Sequence, residues 1–325
     1  MRTNAILPLV VAVACAVPGM AQTAGTAANA AATYRGREAA VFAVKSNPTV
    51  PLKMTFCGDT VDLDRLDMFE RLDRELTSVV YAHTGTLLCL KRANRYFPAL
   101  DSILRANGVP TDFLYLACTE STMDCNAYSP AHAAGLWQLL AGTARQYGLE
   151  VNGEVDERYD PEKSTVAACR YLKAAYRKYG HWATVAASYN AGMGRISGEL
   201  ERQLESNSFD LYLNSETSRY VFRIMAYKTL LSDPKRFGYR LTRQQLYQVV
   251  RYTTDTVSGP VASWPQWAKA HGITYAQLRE ANPWIRSSRL TNAQRRSYVV
   301  RVPLADDLYR SRRHYSAYNP AWVVE

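Results

Sequence analysis

Glu120 lies at the end of a hydrophobic run whose spacing is that of a helix. Phe113, Leu116 and Glu120 occupy positions i, i+3 and i+7, so the sequence predicts that the carboxyl group shares the stripe that faces the core. A carboxylic acid in such a position is poorly hydrated, and desolvation raises its pKa because it disfavours the charged form. A raised pKa is what a general acid needs near neutral pH.

Two further motifs follow Glu120 in order along the chain. Residues 135–138 read Gly-Leu-Trp-Gln, and residues 188–192 read Ser-Tyr-Asn-Ala-Gly. The dipeptide Glu-Ser carries no information by itself, since residues 205–206 repeat it in a segment without such motifs. The ordered set of motifs therefore singles out Glu120 as the candidate acid.

With these motifs the chain resembles the soluble lytic transglycosylases, a lysozyme-like family, and within it the membrane-bound lytic transglycosylase D group. The resemblance implies a mainly α fold, with a lysozyme-like (goose-type/transglycosylase) helical catalytic domain plus a small α+β LysM-like module. It also implies a peptidoglycan lytic transglycosylase. Such an enzyme cleaves the MurNAc-GlcNAc β-1,4 bond, leaves 1,6-anhydro-MurNAc ends and needs no cofactor.

The resemblance implies a role for individual residues of this sequence. Glu120 is implied as the sole catalytic acid and base, and Tyr220 as the late tyrosine that contacts it. Trp137 stands where the family motif has Met and can alter the sugar subsites, whereas Ser188 stands in place of Ala. The substrate-binding residues implied in this way are Ser121, Gly135, Leu136, Gln138, Tyr189, Asn190 and Tyr220.

Two other functions stay open at this point. A hydrolytic muramidase on the same fold needs a second carboxylate to activate water, and Asp124 and Asp156 are the candidates. An inactive cell-wall-binding protein would use its C-terminal module alone. His132, in the loop before Gly135, is interpreted as a surface residue outside the site.

The chain is basic, with a formal net charge of +10, and eight arginines concentrate that charge between residues 286 and 313. A basic surface suits a polyanionic partner. Peptidoglycan glycan strands with acidic stem peptides fit this expectation. Nucleic acid does not, because the sequence contains no zinc-finger spacing, no Gly-rich phosphate loop and no basic helix interleaved with aromatic residues.

The N-terminus resembles a secretory signal. Arg2 precedes the apolar residues 5–17, and Gly19 and Ala21 stand at positions −3 and −1, so residues 1–21 are predicted to be a cleaved signal peptide. The protein is then expected in the periplasm or associated with the cell envelope. Lipidation of Cys15 is the alternative, and membrane attachment is expected only in that case.

Cleavage after Ala21 leaves an odd number of cysteines in an oxidising compartment. Cys118 and Cys125 flank the turn after Glu120. They can form a disulfide only if the helix ends near Thr122, because an unbroken helix would separate their Cα atoms by about 10 Å. No two cysteines are two residues apart and no histidine stands at ligand spacing from them, so the sequence predicts no metal site.

Changes in composition and periodicity predict the domain organisation. The expected order is a linker over residues 22–50, an N-terminal helical region over 51–110, the catalytic domain over 111–238, the LysM-like module over 243–304 and a basic tail over 305–325. Within the catalytic domain, Asp160 and Pro161 are predicted to begin a helix that Gly180 ends. Further helices are predicted over residues 182–190 and 216–231.

The LysM-like module is expected from a β-α-α-β pattern. Its predicted strands are residues 247–250 and 298–302, and its predicted helices are residues 264–270 and 275–281. Thr274 and Gln277 form a capping box at the start of the second helix. Ser258-Gly259-Pro260 replaces the usual Gly-Asp-Thr of the first loop, so glycan binding by this module stays an open question.

Overall fold

A computed structural model of the protein describes residues 47–324. Helices predominate among these residues, which belong to one unit, Asn47–Glu325. The predicted signal peptide, Cys15 and nearly all of the predicted linker lie outside the described residues. Within 47–324, no helix has both the length and the apolar character that crossing a membrane requires.

The described residues contain α-helices, two small antiparallel sheets and several 3₁₀ turns. The α-helices are α1 (Leu66–Tyr81), α2 (His83–Ala106), α3 (Leu114–Ser121), α4 (Ala141–Gln146), α5 (Pro161–Tyr179), α6 (Trp182–Ala191), α7 (Met193–Gln203), α8 (Ser215–Ser232), α9 (Trp264–Ala270) and α10 (Tyr275–Ala281). The strands are β1 (Lys53–Phe56), β2 (Asp59–Asp62), β3 (Tyr252–Val257) and β4 (Tyr298–Pro303). β1 pairs with β2, and β3 pairs with β4.

The N-terminal part, predicted as a helical region, contains the two helices α1 and α2, and also a hairpin that was not predicted from the sequence. Cys57 and Gly58 form the turn between β1 and β2, and both have positive φ, at 54° and 94°. Phe56 of β1 is buried and its ring lies 6.3 Å from that of Phe113. Strands of four residues are too short for alternation to be recognised in the sequence.

The helices of the predicted catalytic domain begin and end close to the predicted residues. The Asp160 side chain accepts hydrogen bonds of 3.0 Å from the backbone N–H groups of Glu162 and Lys163, and so caps α5. Gly180 ends α5 in the left-handed conformation, with φ of 66°. The predicted helices at 182–190 and 216–231 correspond to α6 and α8, each within one residue.

In the C-terminal module, the predicted first strand at residues 247–250 is wrong, and the strand lies further along, at β3. The backbone of the predicted segment is hydrogen-bonded to α2 instead. The Tyr247 N–H donates to the Lys91 carbonyl at 3.2 Å, and the Arg95 Nε–H donates to the Gln248 carbonyl at 3.1 Å. These groups are therefore not free to pair with β4. The other predicted elements correspond to α9, α10 and β4, and the Thr274 capping box is present.

The C-terminal tail folds back on the helical core. Trp322 is 1% exposed and donates from its indole Nε1 to the Leu231 carbonyl at 2.6 Å. Its ring packs edge-on against Phe97 of α2, with centroids 5.7 Å apart. A second hydrophobic cluster around Trp264 and Trp284 fills the module. The division into domains stays a prediction, but the tail shares the main core.

Trp322→Ala is expected to destabilise the whole unit. Removing a fully buried aromatic side chain costs about 3–5 kcal/mol, and here it also leaves the Leu231 carbonyl without its donor. Tyr309→Ala is the matched control, because this aromatic residue of the same tail is 56% exposed. Urea unfolding of both variants provides the measurement. Equal stabilities would show that the tail does not support the core.

Candidate active site

Glu120 lies one residue before the end of α3. The helix is anchored on one side by the fully buried residues Leu116 and Cys118. Thr122 and Met123 both adopt the left-handed conformation, with φ of 49° and 59°, so the chain turns sharply directly after the helix. The predicted helix end near Thr122 is confirmed, and Glu120 occupies the last turn, where its side chain reaches the neighbouring helix α8.

The disulfide considered between Cys118 and Cys125 is absent, although the helix ends where that disulfide would require. All five cysteines in the described part of the chain are free thiols. Cys118 is hydrogen-bonded to Cys89 of α2, and Cys125 accepts a hydrogen bond from the Tyr96 hydroxyl at 3.2 Å. Each thiol thus contacts a different residue of α2, and the pairing that the sequence left open is not formed.

The carboxyl group of Glu120 is the centre of the site. It is half-buried, and its Oε1 accepts a short hydrogen bond from the Tyr220 hydroxyl. The pKa of Glu120 is raised to about 7, and desolvation is the largest cause. The hydrogen bond from Tyr220 lowers this pKa, the negative charge of Glu216 raises it further, and the positive charge of Arg223 lowers it. A large fraction of Glu120 is therefore protonated near neutral pH, as an acid that donates a proton must be.

Two tyrosines surround this carboxyl group. Burial and the Glu120 charge raise the pKa values of Tyr220 and Tyr189 well above that of free tyrosine, so both remain neutral hydrogen-bond donors. Tyr189 of α6 donates to the Trp137 carbonyl at 2.7 Å, and its ring packs edge-on against Tyr171 with centroids 5.1 Å apart. Tyr220 is therefore hydrogen-bonded to the Glu120 carboxyl group, whereas Tyr189 is hydrogen-bonded to the loop at residues 135–138.

Ser121 connects α3 to the same loop. Its hydroxyl is buried and lies within hydrogen-bond distance of the Ala117 carbonyl at 3.1 Å and the Leu136 carbonyl at 3.0 Å. The second contact ties the residue after Glu120 to the Gly-Leu-Trp-Gln motif. Ser121 thus fixes the position of Glu120 relative to the loop, and its side chain does not face solvent.

The loop at residues 135–138 is shaped by a close backbone approach. Gly135 has φ of 77°, and a Cβ atom there would lie 1.9 Å from the Arg158 carbonyl oxygen. Gln138 is left-handed, and its Nε2 donates to the Gly135 carbonyl at 2.9 Å. Leu136 and Trp137 are buried, and the Trp137 Nε1–H donates to the Thr165 hydroxyl at 2.8 Å. Trp137 therefore belongs to the core and offers no surface to a sugar, and an effect of this residue on the sugar subsites stays a prediction.

Asn190 joins the end of α6 to the start of α8. Its Nδ2 donates to Glu216 Oε1 at 3.2 Å, and its Oδ1 accepts from the Thr217 hydroxyl at 3.0 Å. Glu216, which was not predicted as a site residue from the sequence, is an exposed carboxylate whose charge acts on Glu120. Glu216 stands four residues before Tyr220, and residues four apart share one face of a helix, so this spacing could have indicated Glu216 from the sequence.

The other acidic candidates are engaged elsewhere. Asp124 pairs with Arg92 at 2.9 Å, and Asp156 is buried and pairs with Arg158 at 2.7 Å. His132 is an exposed residue, as predicted, and its Nδ1 lies 2.6 Å from the Tyr128 hydroxyl. Residues 47–324 contain no cluster of three or more histidine, cysteine or acidic side chains suited to a metal ion.

Comparison of the sequence with known protein families gives two matches. Residues 101–210 match the family described as the transglycosylase SLT domain, and residues 253–306 match the soluble lytic transglycosylase C-terminal LysM-like domain. The chain thus contains an SLT domain followed by a LysM-like domain. The resemblance and the mainly helical fold class expected from the sequence are confirmed.

Individual relatives agree with these matches. The chain is 29% identical over 267 residues to the membrane-bound lytic murein transglycosylase D of Escherichia coli (strain K12), an alignment that covers 79% of this chain and 57% of the relative. It is also 29% identical over 121 residues to the soluble lytic murein transglycosylase of the same strain, covering 34% of this chain and 19% of that one. The chain thus spans little more than half the length of the first relative.

A solved structure with a partial match is the 70 kDa soluble lytic transglycosylase from Escherichia coli. It is 24% identical to this chain, with a TM-score of 0.36, and the match covers 44% of this chain and 25% of that protein.

Gly135→Ala is expected to destabilise the protein by roughly 2–4 kcal/mol. The added methyl group meets a backbone oxygen that cannot move aside, and alanine is strained at this φ. Gly142→Ala is the matched control, because a methyl group there meets nothing within 4 Å and α4 gains up to ~1 kcal/mol of helix propensity. Thermal unfolding distinguishes them. A Gly135→Ala variant as stable as Gly142→Ala would contradict the close approach to Arg158.

Proposed function

We propose that the chain is a lytic transglycosylase that acts on the glycan strands of peptidoglycan. It cleaves the β-1,4 bond between MurNAc and GlcNAc and forms 1,6-anhydro-MurNAc ends. The observation that carries this proposal is the carboxyl group of Glu120, half-buried in the SLT domain, hydrogen-bonded by Tyr220 and with its pKa raised to about 7. Desolvation thus makes one residue suitable as an acid and, after deprotonation, as a base at the same pH.

The first step is protonation of the leaving group. Glu120 donates its proton to the glycosidic oxygen, the bond from C1 of MurNAc to that oxygen breaks, and the GlcNAc-containing part of the strand departs as an alcohol. Positive charge develops at C1 as the bond breaks. The Glu120 carboxylate formed in this step retains the hydrogen bond from Tyr220, which stabilises its negative charge.

In the second step the substrate supplies its own nucleophile. The C6 hydroxyl of the same MurNAc attacks C1 and gives its proton to the Glu120 carboxylate, which restores the acid and closes the anhydro ring. An intramolecular nucleophile of this kind has a high effective molarity, so the site does not need a base that activates water. Within this reaction Gln138 and Asn190 are proposed to contact sugar or peptide, and Ser121, Gly135, Leu136 and Tyr189 to shape the surface that receives them.

Hydrolysis by a muramidase mechanism is less well supported. The two carboxylates that the sequence offered for water activation, Asp124 and Asp156, are held in salt bridges with Arg92 and Arg158. A protein that only binds cell wall would have no use for a half-buried acid with a raised pKa. We also propose that the protein is exported to the periplasm, that it is anchored to a membrane only if Cys15 is lipidated, and that the LysM-like module contributes to wall binding.

Glu120→Gln is expected to abolish cleavage while the fold is kept. The amide occupies the same space but has no acidic proton, so the rate should fall by at least the ~10²–10⁴-fold that general acid–base catalysis contributes. Glu205→Gln removes the same charge from the second Glu-Ser dipeptide, at an exposed position, and should leave the rate unchanged.

The measurement is mass spectrometry of purified peptidoglycan after digestion. Anhydro ends should accumulate with the wild type and with Glu205→Gln but not with Glu120→Gln. Anhydro ends made by a folded Glu120→Gln variant would contradict the assignment of Glu120 as the catalytic acid. Reducing MurNAc ends made by the wild type would instead show hydrolysis.

A further inference from the structure

Glu75 is an acidic residue that the proposed reaction does not use. It lies in α1, is 0% exposed and is outside residues 101–210, which match the SLT domain. Buried carboxylates are costly unless charged partners surround them. The surroundings of Glu75 therefore indicate why a carboxylate is kept at this position.

Three arginines bind the two oxygens of Glu75. Oε1 accepts from Arg74 Nε at 3.0 Å and from Arg219 Nε at 2.6 Å, and Oε2 accepts from Arg223 Nε at 3.0 Å. Arg219 and Arg223 stand one turn apart on α8, with side chains 31% and 36% exposed. A carboxylate that is fully buried between two helices therefore joins α1 to α8 through both of its oxygens.

The same turn of α8 carries the residues that act on Glu120. Tyr220, directly after Arg219, donates the hydrogen bond to Glu120, and the charge of Arg223 acts on Glu120 as well. The groups that face Glu120 are the hydroxyls of Tyr220 and Tyr189 and the charges of Glu216 and Arg223. Arg223 is the positive charge among them, and Glu75 holds its Nε.

We propose that Glu75 is a positioning residue for Glu120, because it fixes the turn of α8 that carries Tyr220 and offsets part of the positive charge of the Arg223 guanidinium next to the site. Glu75 does not touch the substrate. This inference rests on the proposed function, since it concerns how the fold keeps Glu120 protonated. The physical basis is a balance of charges. The positive charge of Arg223 favours the ionised form of Glu120, and the carboxylate of Glu75 offsets part of that charge.

Glu75→Gln tests this charge balance. A glutamine has one acceptor oxygen, so it can keep the bonds to Arg74 and Arg219 only by turning its NH₂ group towards Arg223. Arg223 then loses its partner, and its charge acts on Glu120 without compensation. The pKa of Glu120 should fall, because a nearby cation favours the carboxylate.

The readout is the pH dependence of kcat/KM for anhydro-product formation. Activity requires protonated Glu120, so it decreases as pH rises through the pKa, which is about 7 in the wild type. In Glu75→Gln this decrease should shift to lower pH by about 0.5–1 unit, the size expected of one uncompensated charge at a half-buried site. Above neutral pH the rate should therefore be about 3–10-fold lower, with a smaller change at low pH.

Two further variants keep the test decisive. Glu70→Gln removes an exposed carboxylate from the same helix and should leave the profile unchanged. Arg223→Gln should shift the decrease in the opposite direction, to higher pH, because it removes the cation itself. This variant also serves if Glu75→Gln does not fold. A uniform loss of rate in Glu75→Gln, or an unmoved profile in Arg223→Gln, would show that Glu75 has only a structural role and would overturn the inference.

A measurement without substrate separates this inference from the proposed function. The Glu120 carboxyl band in infrared difference spectra, assigned with Glu120→Gln, should titrate at lower pH in Glu75→Gln than in the wild type. If the wild type makes no anhydro product, the proposed function fails, and the infrared titration still tests Glu75. If the wild type is active and the band does not move, only the inference about Glu75 fails.

Discussion

The site depends on the desolvation of one carboxyl group. Burial against α8 raises the pKa of Glu120 to about 7, and the hydrogen bond from Tyr220 limits that rise without cancelling it. Stronger desolvation alone would raise the pKa of Glu120 further, and the group would then not act as a base at neutral pH. More positive charge nearby would lower this pKa, and the carboxylate would then have no proton to donate. The position of α8 therefore sets the balance, and Glu75 of α1 binds that helix at Arg219 and Arg223.

The loop beside Glu120 is held in place by a separate set of hydrogen bonds. Its hydrogen bonds come from residues that would otherwise be assigned to substrate: Ser121 contacts the Leu136 carbonyl, and Tyr189 donates to the Trp137 carbonyl. Arg158 closes the other side, with donors to the His132 and Leu139 carbonyls at 2.8 and 3.1 Å. The segment that contains Arg158 also meets the LysM-like module, where the N–H of residue 156 donates to the carbonyl of residue 284 at 2.9 Å. The module therefore contacts the segment whose Arg158 side chain is hydrogen-bonded to the loop.

Local signals in the sequence predicted most helices, because caps and periodicity act within a few residues. Asp160 and Gly180 gave the ends of α5, and the spacing of Phe113 and Glu120 indicated that the acid faces the core. Contacts between distant segments could not be predicted in this way. The backbone of residues 247–250 is bound by α2, Cys118 meets Cys89 in place of Cys125, and Trp322 fills the main core. Periodicity does not encode which helix lies next to which.

The most direct test of this account is a ¹³C NMR titration of the Glu120 carboxyl carbon in the wild-type protein without substrate. Glutamate labelled at the carboxyl carbon gives the signals, and the signal lost in Glu120→Gln identifies the residue. We expect a midpoint near pH 7, because the acid is desolvated and hydrogen-bonded by Tyr220. A midpoint near 4.5, the ordinary value for glutamate, would show that burial does not raise this pKa and would contradict the role given to α8.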